Sequence, residues 1–169
     1  MKKTILCLLI SIVLIWCTGC MSPSEMKKLG DGSAKECAKK VVDLINANDT
    51  EGLIALFSET AKGNENLVSQ IEEMYDYIGG EIVSYDEYIQ ISGGETRKDG
   101  KITVQTYSPT IKNAKTQNGA SYQIYISFIG IYLDVPQQEG VEFIRISKID
   151  SNDEIIDGEE VIVGDPDLY

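Results

Sequence analysis

Ser121-Tyr122-Gln123-Ile124-Tyr125-Ile126-Ser127-Phe128 is the stretch that decides the fold. In an extended chain Tyr122, Ile124, Ile126 and Phe128 share one side, and Ser121, Gln123, Tyr125 and Ser127 share the other. An apolar side opposite a mixed one predicts an antiparallel strand with one face on a core. The same richness in Ile, Val, Thr and Tyr extends this strand to Ala120–Leu133. It also predicts strands over Glu81–Ser92, Lys101–Ile111 and Val141–Ile149. The breaks between them are Gly93-Gly94 through Asp99-Gly100, Asn113 through Asn118-Gly119, and Pro136 through Gly140.

Upstream of Gly80 the apolar period changes to that of a helix. Ala34, Cys37, Ala38, Val41 and Ile45 fall on one side, with Lys35, Lys39 and Lys40 on the other. Ser33-Ala34-Lys35-Glu36 reads as a capping box opening this helix. It stops near Asn46-Ala47-Asn48, after which Asp49 or Thr50 caps a short helix through Leu53, Ile54, Leu56 and Phe57. A third runs from about Asn64 to Ile78, with Gly79 as its stop. The expected class is therefore α+β: three N-terminal helices packed on a curved four-stranded antiparallel sheet. After Lys148 no basic residue occurs, while Asp and Glu recur. Ile155-Ile156 and Val161-Ile162-Val163 leave an edge strand and a disordered acidic tail both open for residues 151–169.

The chain starts Met1-Lys2-Lys3, runs apolar from Ile5 to Trp16, and reaches Cys17-Thr18-Gly19-Cys20. A basic start, an apolar run too short to span a bilayer and small residues before a cut site form a secretory signal. Thr18-Gly19-Cys20 resembles the bacterial lipobox, in which the cysteine thiol takes a diacylglyceryl group and cleavage occurs just before it. Cys17 stands where leucine is most usual. The resemblance implies a lipoprotein signal peptide over residues 1–19, palmitate-type acylation of Cys20, and a polar tether to residue 32. The α+β domain then covers residues 33–150. Two acyl chains, at about 0.8 kcal/mol per buried methylene, hold a protein stably where one is marginal. The expected location is the extracytoplasmic face of the cell membrane.

Cys7 and Cys17 leave with such a signal, so a mature chain keeps Cys37 as its one free thiol and forms no internal disulfide. The core must cohere by packing alone. The formal net charge of −12 argues against nucleic acid as a partner, and against anionic polymers held by bulk electrostatics. There is no histidine. That removes Ser-His-Asp and Cys-His nucleophile systems and the commonest zinc sets. No phosphate-cradling glycine loop occurs. Asp150-Ser151-Asn152-Asp153-Glu154 has oxygen ligands at loop-like spacing, but Ile155-Ile156 follows where a Ca²⁺ loop needs its glycine turn. No metal and no cofactor is expected.

The order of elements resembles a family of small uncharacterised bacterial lipoproteins. The residues that carry it are Asn48-Asp49-Thr50-Glu51-Gly52-Leu53-Ile54-Ala55-Leu56-Phe57-Ser58 and Gly79-Gly80-Glu81-Ile82-Val83-Ser84-Tyr85-Asp86. It covers about residues 33–150 and implies the cystatin-like cone of the nuclear transport factor two superfamily, with no activity attached. Superfamily isomerases and dehydratases use Tyr and Asp at the open end of the cone. That comparison makes Tyr75, Asp76, Tyr107 and Tyr122 the candidate ligand-binding residues. The Gln-x-Val-x-Gly hairpin of the cystatin inhibitors is not present. The odd side of the central strand (Tyr125, Ile129, Ile131, Leu133) is the candidate homodimer face.

The expected function is a membrane-anchored, noncatalytic domain that binds a small molecule, peptide or protein. The alternative is a small Tyr/Asp isomerase or hydrolase, whose mark is a carboxylate buried beside a tyrosine. The anchor makes the first prediction. Cys20→Ala should abolish acylation, and cells fed an alkyne-palmitate should show a labelled wild-type band and none for the variant. Unchanged labelling and membrane retention of the variant would refute the lipobox.

Overall fold

The protein is described from a computed structural model, which places residues 30–167. The expected signal peptide, Cys20 and most of the tether lie outside the described residues. Helix α1 spans Gly30–Ala47, so residues 30–32 are helical rather than tether. Ser33 lies inside the helix and does not open it. On its inward side Ala34, Cys37, Ala38, Val41, Val42, Leu44 and Ile45 are all buried. The helix ends because Asn48 adopts φ +49, a conformation Asn tolerates well. Asn48 and Asp49 N–H then close on the carbonyls of Ile45 and Leu44.

Asp49 caps α2 (Thr50–Leu56) by accepting the Gly52 N–H at 2.8 Å. A further turn, α3 (Glu59–Lys62), was not expected. Ser58 caps it through the Ala61 N–H, while its own N–H is bonded to Val141. Four residues are too few to show helical periodicity in a sequence. Helix α4 (Leu67–Ile78) buries Leu67, Ile71, Met74 and Ile78, and ends at Gly79 with φ +65.

The sheet corrects the expected architecture. Among the described residues it has six antiparallel strands, not four, accompanied by four helices rather than three. They are β1 (Ile82–Ser84), β2 (Gln90–Lys98), β3 (Lys101–Thr116), β4 (Ser121–Tyr132), β5 (Gly140–Ile149) and β6 (Ile155–Gly164). Both β1 and β2 pair with β3, and the order continues through β4 and β5 to β6 at the edge. The α+β order stands, but the cone of three helices on four strands does not.

Two causes explain the count. The predicted strand Glu81–Ser92 breaks in the middle, because Asp86 turns out of line to bond Lys112 and Asn113. Asn113, with φ +53, bulges β3 at that point instead of ending it. Downstream, the acidic segment pairs with β5. Asp150 Oδ1 accepts the N–H groups of Asn152 and Glu154, which forms the turn. These bonds hold the Asp150 carboxyl below its ordinary range. Lys148 and Arg145 then face Glu159 and Glu160 at 2.8 and 3.7 Å. The edge-strand alternative for this segment is the one observed, and its carboxylates are partly spent on cross-strand pairs.

Gly93-Gly94 is a second correction, since both lie inside β2 and not in a turn. A Cβ at Gly93 would strike the Thr106 carbonyl oxygen, so glycine permits the close approach of β3. The hairpin turns instead at Asp99-Gly100, both with positive φ.

Helices α1, α2 and α4 close over the even side of β4. Ile124, Ile126 and Phe128 join Ile144, Ile146, Val161 and Val163 from the neighbouring strands in one core. Gly164 fixes the end of this layer. Its φ is +97, and a Cβ there would strike the Glu142 carbonyl oxygen and press on Phe57. Gly164→Ala should destabilise the fold by about 2 kcal/mol or more, read as a lower urea midpoint. A midpoint equal to wild type would show that this contact does not constrain the edge.

Candidate functional site

The four expected binding residues do not converge. Tyr122 leans from β4 against the end of α4, where its hydroxyl donates to the carbonyls of Tyr77 and Ile78 at 3.0 and 3.3 Å. Its ring meets that of Tyr77 with centroids 5.5 Å apart. Those carbonyls belong to the last turn, which a helix cannot satisfy from within. Tyr122 is therefore a clamp that ties helix to sheet. Tyr107 is buried and stacks on Phe128 at 6.0 Å. It also borders a shallow depression of about 200 Å³ on the β2–β3 ribbon, with Ile91 and Gly93. Asp76 is exposed on α4.

Tyr75 is the candidate best placed for binding. It is half-buried and lines a depression of about 250 Å³ between the ends of α1 and α4. Ile45 and Ile78 form the base, with Asn46, Asn48, Gly80 and Glu81 around them. The Tyr75 hydroxyl lies against Thr50, near Asp49. Burial pushes it above the ordinary tyrosine range, against the opposing pull of Thr50 and with a smaller push from the Asp49 charge, so it stays protonated at neutral pH. Asn46 holds the wall in place by bonding both the N–H and the carbonyl of Ile82, at 2.8 and 3.0 Å. Gln117 grips the Glu81 carboxylate at 2.6 Å.

Sequence reading missed Asn46, Asn48 and Glu81 as lining residues. The two asparagines carried a signal only as a helix stop, and Glu81 only as a strand start. A larger open groove, about 560 Å³, runs between α4 and β6 beside Asn64, Asn66 and Pro166. Its base is a latch in which the Gln70 side chain exchanges bonds with the N–H and carbonyl of Gly164.

The expected dimer face is not a continuous stripe. Register shifts between β4 and its two neighbours break the alternation. Ile129 is consequently buried, as its neighbour Phe128 is, while Ile131 is half-buried and Leu133 exposed. Tyr125 is engaged within its own sheet. It bonds Ser108 at 2.9 Å and stacks on Phe143, over which Arg145 also lies.

Two buried acids also escaped sequence reading. Glu139 accepts the Tyr132 N–H at 2.9 Å, and Glu142 lies fully buried on β5; neither is a free carboxylate. Cys37 is buried in the α1 stripe, and burial pushes its thiol up to about 12. It stays protonated and unreactive at neutral pH. No group of three or more metal-ligating side chains is found among the described residues. Nor is any described helix long and apolar enough to cross a membrane.

The clamp generates the next prediction. Tyr122→Phe keeps the ring but strips the donor from one buried and one part-buried carbonyl, and should cost about 1 kcal/mol. Hydrogen exchange should quicken at the α4 end more than in β4. Equal protection in both proteins would make the hydroxyl incidental.

A family model described as a domain of unknown function (DUF5104) matches residues 40–151. No curated protein matches the chain. The matched region runs from α1 to the turn before β6, and takes in Tyr75 with every residue of its depression. The chain belongs to the DUF5104 family of domains of unknown function.

Proposed function

We propose that the protein is an exported lipoprotein, held at the extracytoplasmic membrane face by Cys20, whose α+β domain binds a ligand without transforming it. The anchor rests on Thr18-Gly19-Cys20 and the apolar run before it. The binding role is carried by one observation. At Tyr75 an apolar base, an aromatic wall and several fixed polar groups meet in a partly enclosed depression. That is the usual composition of a small-ligand site.

The noncatalytic part has separate support. Of the candidate binding tyrosines, Tyr122 is committed to the α4 carbonyls and Tyr107 is packed on Phe128. Asp76 and Asp86 are both exposed. Neither provides the buried carboxylate that an isomerase or hydrolase of this kind needs.

A thermal-shift screen of the detergent-extracted chain tests the role, using amino acids, sugars, nucleosides, amines and short peptides. One class should raise the melting temperature, since ligand at a hundred times its Kd adds about 2.7 kcal/mol. Mass spectrometry should recover the compound unchanged. A screen with no stabilising class would defeat the binding role, and chemical turnover of the hit would defeat its noncatalytic character.

A further inference from the structure

Helices α1 and α4 both end at the Tyr75 depression, and neither has a basic residue in its last turn. Each end presents the negative pole of a helix, equivalent to about half an electron charge. Helices commonly offset that pole with Lys, Arg or His in the last turn. Here the last carbonyls are met only by neutral donors. Asn48 and Asp49 N–H serve α1, while Gly79 N–H and the Tyr122 hydroxyl serve α4. These bonds satisfy the oxygens but bring no positive charge.

The surroundings add to the imbalance. Glu81, an exposed acid whose carboxylate Gln117 holds, lines the depression, and Asp49 is close enough to act on the Tyr75 hydroxyl. No residue among those lining the depression is basic. Lys148, which approaches through Tyr77 and Tyr122, is already paired with Glu159 at 2.8 Å. The base is nevertheless apolar, because Ile45 and Ile78 are buried beneath it.

We infer that this depression binds a small organic cation, an alkylammonium group carried on a short apolar stem. The ammonium sits at the mouth beside Glu81 and the two helix ends, and the stem lies on Ile45, Ile78 and the Tyr75 ring. A cation near an aromatic face gains further from the ring's negative side. A divalent metal is a poor fit. One carboxylate and two carboxamides fall short of the six to eight oxygens that Ca²⁺ takes, and an apolar base offers it nothing. An anion would meet two negative helix poles and a carboxylate. The inference rests on the binding role proposed above and names its ligand class.

The test uses the ¹⁵N-labelled full chain in a neutral detergent, with n-butylammonium chloride as probe. Sodium butyrate and sodium chloride at equal ionic strength are the controls. Butylammonium should shift the Asn48, Gly80 and Glu81 amides saturably, with a Kd of about 1 mM. Glu81→Gln keeps a partner for Gln117 while removing the charge, and should weaken binding about fivefold to tenfold. Tyr75→Leu, which keeps an apolar wall, should weaken it about threefold.

Shifts reproduced by sodium chloride, or an affinity unchanged in both variants, would overturn the inference. So would saturation of the same amides by butyrate alone, though the binding role would then stand. No response to either organic salt also overturns the cation assignment, and a blank thermal screen beside it removes the binding role too.

Discussion

The structure depends on burying the even side of β4 without help from a disulfide. Ile124, Ile126 and Phe128 lie at the centre of a sheet that extends on both sides of them. Each fully buried side chain of that size contributes about 1.5–3 kcal/mol. Cys37 is the one free cysteine among the described residues, so no cross-link substitutes for this packing. The helices pack on the strands around it. Helix α1 lies over β3 and β2, α4 lies over β6, and Phe57 and Ser58 bring the helical layer into direct contact with Val141.

Polar groups at the seams convert this packing into a defined arrangement. Tyr122, Asn46 and Gln70 each reach across thirty or more residues of chain to backbone groups that their own element leaves unpaired. A buried backbone group without a partner is costly, so these side chains fix where each helix end sits. The depression at Tyr75 lies between two such fixed ends. Its shape is thus set by the fold and does not wait on a ligand.

Much of this was legible in the sequence. The alternation in residues 121–128, the helix stops at Asn48 and Gly79 and the Asp49 cap all report local chemistry, and all appear where that chemistry puts them. The strand count was not legible, because it turned on non-local events. Asn113 looks like a turn residue, yet β4 holds it in a bulge. The run from Asp150 to Asp165 reads equally as a tail or an edge strand until Arg145 and Lys148 supply its counter-charges. The candidate site was legible only in part. Tyr75 is named only through the superfamily resemblance, and Asn46 and Glu81 join it through the meeting of α1 with the start of β1, which no local pattern encodes.

The placement of β6 has one more consequence. An edge strand offers a ready template for pairing with copies of the same chain. Asp157 adds negative charge to β6 beyond the Glu159 and Glu160 carboxylates that Lys148 and Arg145 offset, and Gly158, with φ +76, interrupts its extended path. A second copy approaching this edge brings the same charges to the same places, so edge-to-edge aggregation is disfavoured. The acidity of this edge thus works against copies of the chain growing together strand by strand.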